Sequence, residues 1–104
     1  MSAQPESTAD LVRRVTGDIL ERMGIPSVIT VRESDDATRV TIHAHDSGLL
    51  IGKQGATLNS LQMLVGLIVN RGRTAKVKVI LDAEGYRSRR QASLEATALR
   101  VAEK

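Results

Sequence analysis

The stretch His45–Leu67, "HDSGLLIGKQGATLNSLQMLVGL", decides how this chain of 104 residues is read. At its centre, Gly52-Lys53-Gln54-Gly55 breaks an apolar run just before a segment of helical periodicity. With eight glycines in the chain, a Gly-x-x-Gly spacing arises by chance in roughly every second sequence of this composition, so its surroundings must carry the reading. Glycine is tolerated where the backbone takes φ > 0 or where another backbone comes very close. The two glycines thus permit a sharp turn between two helices, and the second helix starts with its first N–H groups facing outward. Such a terminus is a ready anion site, because the helix dipole and the free donors act together. Lys53 adds a mobile charge suited to phosphate, and Gln54 adds donors. Ile51 just before and Leu58 just after are placed to floor an apolar groove beside the loop. A sugar–phosphate backbone over the loop, with bases on the aliphatic groove, is the matching ligand. A helix–helix turn that needs its glycines only for geometry accounts for the same residues.

Two other phosphate motifs fail. A Walker loop needs four residues between its glycines and then Lys followed by Ser or Thr. Here Gly48 to Gly52 leaves three, and Gln54 follows the lysine. A dinucleotide fingerprint needs a Gly-x-Gly pair, and the chain has none.

Working outward, the first six residues read as a flexible terminus and residues 7–104 as one domain. A helix starts near Ser7, where Ser7-x-x-Asp10 resembles a capping box. Leu11, Val12, Val15, Ile19, Leu20 and Met23 recur at helical spacing, and Gly24 followed by Pro26 is a stop signal. "SVITVRE" (27–33) and Thr38 to His45 alternate around "SDDA" (34–37), which predicts an antiparallel hairpin with one buried face. On the second strand Val40, Ile42 and Ala44 share one face, Thr41, His43 and His45 the other. Asp46 or Ser47 caps a short turn over Gly48 to Ile51. A longer helix runs from about Ala56 to Asn70, with Leu58, Leu61, Leu64, Val65, Leu67 and Ile68 inward. After a turn at 71–74, "KVKVILD" (76–82) is a third strand, with Val77, Val79 and Leu81 inward. From Glu84 onward helical periodicity returns through Leu94, Ala98 and Val101. The order α-β-β-α-(loop)-α-β-α predicts an α+β fold, a three-stranded sheet covered on one face by helices.

This order, with "IGKQG" between its second and third helices, resembles a type II KH domain. It is similar in particular to the KH domain of the bacterial Jag proteins, also called KhpB or SpoIIIJ-associated proteins. "GLLIGKQGATLNSLQMLVGLIVNR" (48–71) and "VKVILDAEGYRSRRQASLEATALRVA" (77–102) carry the resemblance, which is looser over residues 1–46. KH domains clamp about four backbone nucleotides with the Gly-x-x-Gly loop. The resemblance implies single-stranded RNA binding in the bacterial cytoplasm, a post-transcriptional regulatory role, and no catalysis or cofactor. It makes Gly52 and Gly55 the loop glycines, Lys53 and Gln54 the variable polar pair, and Ile51 and Leu58 the groove-lining positions. A Jag protein usually continues into a second nucleic-acid-binding domain with an Arg-x-x-x-His signature. No histidine follows His45, so the chain reads as an excised fragment or a stand-alone KH protein.

Composition agrees with that reading. Residues 1–46 carry five Arg against eight Asp plus Glu, a balance of −3. Residues 47–104 carry ten Lys plus Arg against four Asp plus Glu, a balance of +6, which points to a polyanion partner or to a solvated basic face. Arg71 and Arg73, with Lys76 and Lys78 outward on the third strand, extend a phosphate track or a solvated surface. Arg87, Arg89 and Arg90 fall in the first turns of the last helix, where the dipole disfavours cations, so pairing with Asp82 or Glu84 is expected ahead of binding an external anion. There is no cysteine and hence no thiolate metal site. His43 and His45 have zinc-compatible spacing, but a structural site needs four ligands and a catalytic one three, so no metal is expected. Nor is there a secretory signal or a membrane-spanning run.

Tyr86 is the only aromatic residue, which excludes RRM and OB modes of stacking on several rings. Base contacts must then be aliphatic or hydrogen-bonded, with weak binding and modest sequence preference; single-stranded DNA remains an alternative ligand. The rival reading is a protein-interaction or dimerisation domain, a homodimer or a heterodimer with another KH protein. The third strand's edge or the last helix would be its interface.

Overall fold

A computed structural model describes residues 6–45, 47–84, 86, 92 and 94–96. Ser7 starts the first helix, α1 (Thr8–Arg22), because its hydroxyl accepts the Asp10 N–H at 3.1 Å and satisfies a donor the helix leaves free. Gly24 ends it in the left-handed conformation, φ 73°. Its N–H donates to the Glu21 carbonyl and that of Ile25 to the Leu20 carbonyl, both at 3.0 Å, a Schellman closure that tucks Ile25 into the core.

The chain then runs out as β1 (Ser27–Glu33) and back as β2 (Thr38–Ala44), antiparallel, with Glu33 opposite Thr38 and Ser27 opposite Ala44. In the connecting turn the Ser34 N–H donates to the Ala37 carbonyl at 2.9 Å, and the Ser34 hydroxyl donates to Asp36 Oδ1 at 2.6 Å. That hydroxyl, then Asp36's own backbone N–H and the charge of Arg39, holds the Asp36 carboxyl below the ordinary carboxylate range.

Two helices follow, α2 (Ser47–Ile51) and α3 (Ala56–Val69), before the last strand, β3 (Val79–Ala83). β3 lies parallel to β2 with Thr38 beside Val79, giving the order β1-β2-β3. The strand expected from Lys76 thus starts three residues late. Thr38 is the first residue of β2, and before it the chain is committed to the hairpin turn, so apart from the Lys78 carbonyl, which accepts the Thr38 N–H at 2.8 Å, residues 76–78 have no strand to pair with. Asn70 holds them instead: its side-chain amide donates to the Val77 carbonyl at 2.8 Å and its Oδ1 accepts the Val77 N–H at 2.6 Å.

α1 and α3 pack on one face of the sheet, around Val12, Leu20, Val40, Ile42, Leu50, Leu58, Val65 and Leu81. This is the α+β arrangement expected, with the alternation of β2 and β3 as read. The apolar stripe of α3 is narrower than expected. Leu58, Leu61, Val65 and Val69, one i, i+3, i+7 row, are buried, whereas Leu64, Leu67 and Ile68 are exposed. One sheet face can receive only one side of a helix, so apolar residues beyond that side stay in water. Met23 is exposed for a related reason, standing at the C-cap where α1 ends. Of the helix expected after Glu84, Tyr86, Ala92 and Leu94–Ala96 are helical. The expected roles of Arg87, Arg89, Arg90, Ala98 and Val101 fall outside the described residues.

Candidate nucleic-acid interface

The loop is hung between two core anchors. Leu50 in α2 and Leu58 in α3 are both completely buried, so the helix ends they carry cannot drift. α2 closes when the Gly52 N–H donates to the Gly48 carbonyl at 3.0 Å. Gly52 then takes φ 69°, ψ −168°, a region open essentially to glycine alone. Lys53–Gly55 form one turn of 3-10 helix, and Gly55, φ 83° and ψ 11°, is the N-cap of α3.

Gly52 is required for space as well as for φ, while Gly55 is required for φ and has a close side-chain neighbour. A β-carbon on Gly52 would overlap the Thr57 hydroxyl and stand 2.9 Å from the Thr57 Cβ and 3.1 Å from its backbone nitrogen. One on Gly55 would stand 3.1 Å from Cε1 of Tyr86. As an N-cap, Gly55 supplies no side chain to accept the first N–H groups of α3, and the first turn of that helix holds no acidic residue. Lys53 is exposed, and none of the ion pairs among the described residues uses it. Helix terminus and ammonium therefore present positive potential on one loop, at which Lys53 and Ala56 are exposed and Gly55 is buried.

The other candidate positions separate. Ile51 is half-buried at the end of α2, beside the loop. Leu58 does not floor an exposed groove: it is fully buried under α3, since it begins the row that packs on the sheet. Arg71 and Arg73 follow the far end of α3, about 20 Å from the loop at 1.5 Å of rise per residue, so they and Lys53 do not form one cluster. Lys76 and Lys78 precede β3 and are not on its outward face. The Lys76 ammonium donates to the Asn70 carbonyl at 3.3 Å and the Arg73 carbonyl at 2.6 Å, against the negative end of α3. His43 and His45 are exposed, as the strand alternation predicts, and His43 Nδ1 lies 3.8 Å from Glu84 Oε1. Among the described residues no three His, Asp or Glu side chains gather as a metal site, and no helix is long and apolar enough to cross a membrane.

Thr57, in α3, and Tyr86, after β3, are the neighbours of the loop glycines whose place there the sequence does not show. Thr57 follows Gly52 by five residues, but nothing in the pattern shows that its side chain folds back on that glycine. Tyr86 is distant in sequence, and its solitude spoke only against a stacking platform.

Comparison with known proteins agrees with this architecture. The family profile described as "KhpA/KhpB, KH domain" matches residues 9–81. An RNA-binding protein KhpB of Clostridium symbiosum is 40% identical over 82 residues, which cover 79% of this chain and 37% of that protein. The RNA-binding protein KhpB of Bacillus subtilis is 39% identical over 85 residues, 82% of this chain and 41% of its own length. That of Lactiplantibacillus plantarum is 32% identical over 80 residues, covering 77% and 25%. The matched stretch is thus less than half of each relative. With the profile spanning both strands of the hairpin, the glycine loop and most of β3, the chain belongs to the KhpA/KhpB KH-domain family, and its fold is that of a type II KH domain.

Proposed function

We propose that this domain binds single-stranded RNA, with the backbone of residues 52–55 and the first turn of α3 contacting phosphates and Lys53 and Gln54 supplying charge and donors. The observation that carries this reading is the bare loop. Gly52, at a φ and ψ open essentially to glycine, and Gly55, a left-handed N-cap, bring no side chain to the start of α3, so its first turn carries neither a side-chain cap nor an acidic residue. The relatives' description as RNA-binding proteins supports RNA as the ligand. Bases lie beside α2 against Ile51, while Leu58 supports the loop from the core without touching them. Arg71 and Arg73 take part only if a longer strand follows α3 toward its far end. The domain works by binding and not by catalysis, in post-transcriptional regulation in the cytoplasm.

The test is salt dependence. Single strands lose affinity with a log–log slope of about −0.7 per neutralised phosphate. Three contacts within the roughly four nucleotides a KH loop spans give a slope near −2. Affinity for a short RNA of randomised sequence, followed by anisotropy, should fall roughly fifteenfold between about 50 and 200 mM salt. An affinity flat over that range would exclude phosphate clamping, and a parallel titration with DNA of matching sequence separates the two nucleic acids.

A second reading rests on a different surface. Met63 (69% exposed) and Leu67 (67%) lead a row of uncovered apolar side chains with Leu64 and Ile68 on the outer side of α3. Soluble domains seldom expose such a contiguous patch without a partner. A protein contact there, with a second copy or another KH domain, predicts a molar mass by light scattering that rises with concentration and stops rising in Leu67→Glu.

A further inference from the structure

The loop leans on a residue that neither its motif nor its charge identifies. β3 ends at the buried Ala83, and Glu84 turns the chain with a left-handed φ of 51°. Two residues on, the half-buried Tyr86 ring packs against the core. Its edge faces Gly55: Cε1, Oη and Cζ lie 3.1, 3.5 and 3.7 Å from where a β-carbon of that glycine would stand. The ring therefore crowds the volume a side chain at Gly55 would need.

We propose that Tyr86 is a positioning residue of the loop: seated against Gly55, its ring holds residues 52–55 in the conformation that receives phosphate. This rests on the reading of the loop as an RNA clamp and adds the element that keeps the clamp shaped. A glycine-bounded turn has more backbone freedom to lose than any other, and a loop ordered only on binding forfeits affinity for the ordering. Thr57 braces Gly52 from within α3. At Gly55 the three atoms nearest the β-carbon position all belong to Tyr86, so there the ring supplies the brace, from the segment after β3.

Tyr86 is also the only aromatic residue of the chain, so all intrinsic emission comes from a ring at the loop. The experiment uses wild type, Tyr86→Phe and Tyr86→Leu with a short single-stranded RNA of randomised sequence, read by anisotropy. Tyrosine emission is read in parallel and corrected for nucleotide absorption with N-acetyltyrosinamide. The expected results are wild-type emission that changes saturably at the concentrations where anisotropy saturates, and Tyr86→Phe binding within about twofold of wild type. Tyr86→Leu, with an unchanged far-UV CD spectrum, should bind about tenfold more weakly, the cost of ordering about one backbone residue. A folded Tyr86→Leu that binds as wild type does, or emission unmoved at full anisotropy, would overturn the proposal while leaving the loop's contact with RNA standing. If Tyr86→Leu does not fold, the wild-type emission decides alone. If the wild-type protein fails to bind RNA at low salt, the clamp itself is wrong and this role falls with it.

Discussion

Replacing Lys53 and Gln54 together by Asp will weaken RNA binding roughly a hundredfold and leave the fold standing. The exchange lowers the charge of the loop by three units, one lysine lost and two carboxylates gained. At about 4 Å in a water-like dielectric each unit is worth about 1 kcal/mol against a phosphate, so the sum is about 3 kcal/mol, or roughly two powers of ten in affinity. The fold has little reason to respond, since Lys53 is exposed and outside the core. Anisotropy with single-stranded RNA and a thermal melt of the same preparation provide the two readings. Binding within tenfold of wild type would remove the loop from the mechanism, and an unfolded variant would show that Lys53 or Gln54 carries structure.

The second large effect falls on stability. Gly52→Ala should lower the midpoint of thermal unfolding by at least about 10 °C. Its φ of 69° and ψ of −168° lie where a side chain costs about 1–3 kcal/mol in backbone strain alone. The new β-carbon would also collide with Thr57, including its backbone nitrogen at 3.1 Å, which α3 holds in place. Such overpacking costs about 1–3 kcal/mol more. For a domain near a hundred residues each kcal/mol moves the midpoint by about 4–8 °C. Gly24→Ala is the control, because its φ is also positive but nothing lies within 4 Å of the added carbon. Only the left-handed penalty of about 1–2 kcal/mol should appear there. If the two variants melt alike, the contact with Thr57 carries no weight and the loop rearranges at low cost.

Local chemistry made the elements legible. Ser7 and Gly24-Pro26 mark both ends of α1 because capping is decided within a few residues. The β2 faces follow from strict alternation, and the loop's place between α2 and α3 follows from Gly52 and Gly55. What failed was whatever depended on distant partners. Periodicity marks Leu58 and Leu67 equally as apolar, yet one begins the row under α3 and the other faces water, a choice made by where the sheet lies. β3 starts at Val79 and not Lys76 because Thr38, forty-one positions earlier, is where β2 begins. Arg71 and Arg73 joined Lys53 in a basic half of the sequence, but the length of α3 holds them apart. The contacts of Thr57 and Tyr86 with the two loop glycines have no signature in spacing at all.

The grip of α3 on β3 has a consequence for how the protein survives at high concentration. Thr38 donates to the Lys78 carbonyl, so the odd-numbered residues of the last strand aim their backbone groups outward, the side on which a rival strand from another molecule would add. Part of that edge is already engaged: the Leu81 N–H by Gln62 at 2.9 Å, the Ala83 N–H by Asp82 at 2.8 Å and, just before the strand, both groups of Val77 by Asn70. Exposed edges are templates for aggregation, and proteins usually blunt them with charge, proline or bulges. Here the Gln62 and Asn70 amides of α3 and its C-cap, with the Asp82 carboxylate of the strand itself, do it over part of the edge, so a strand adding there would first have to displace them.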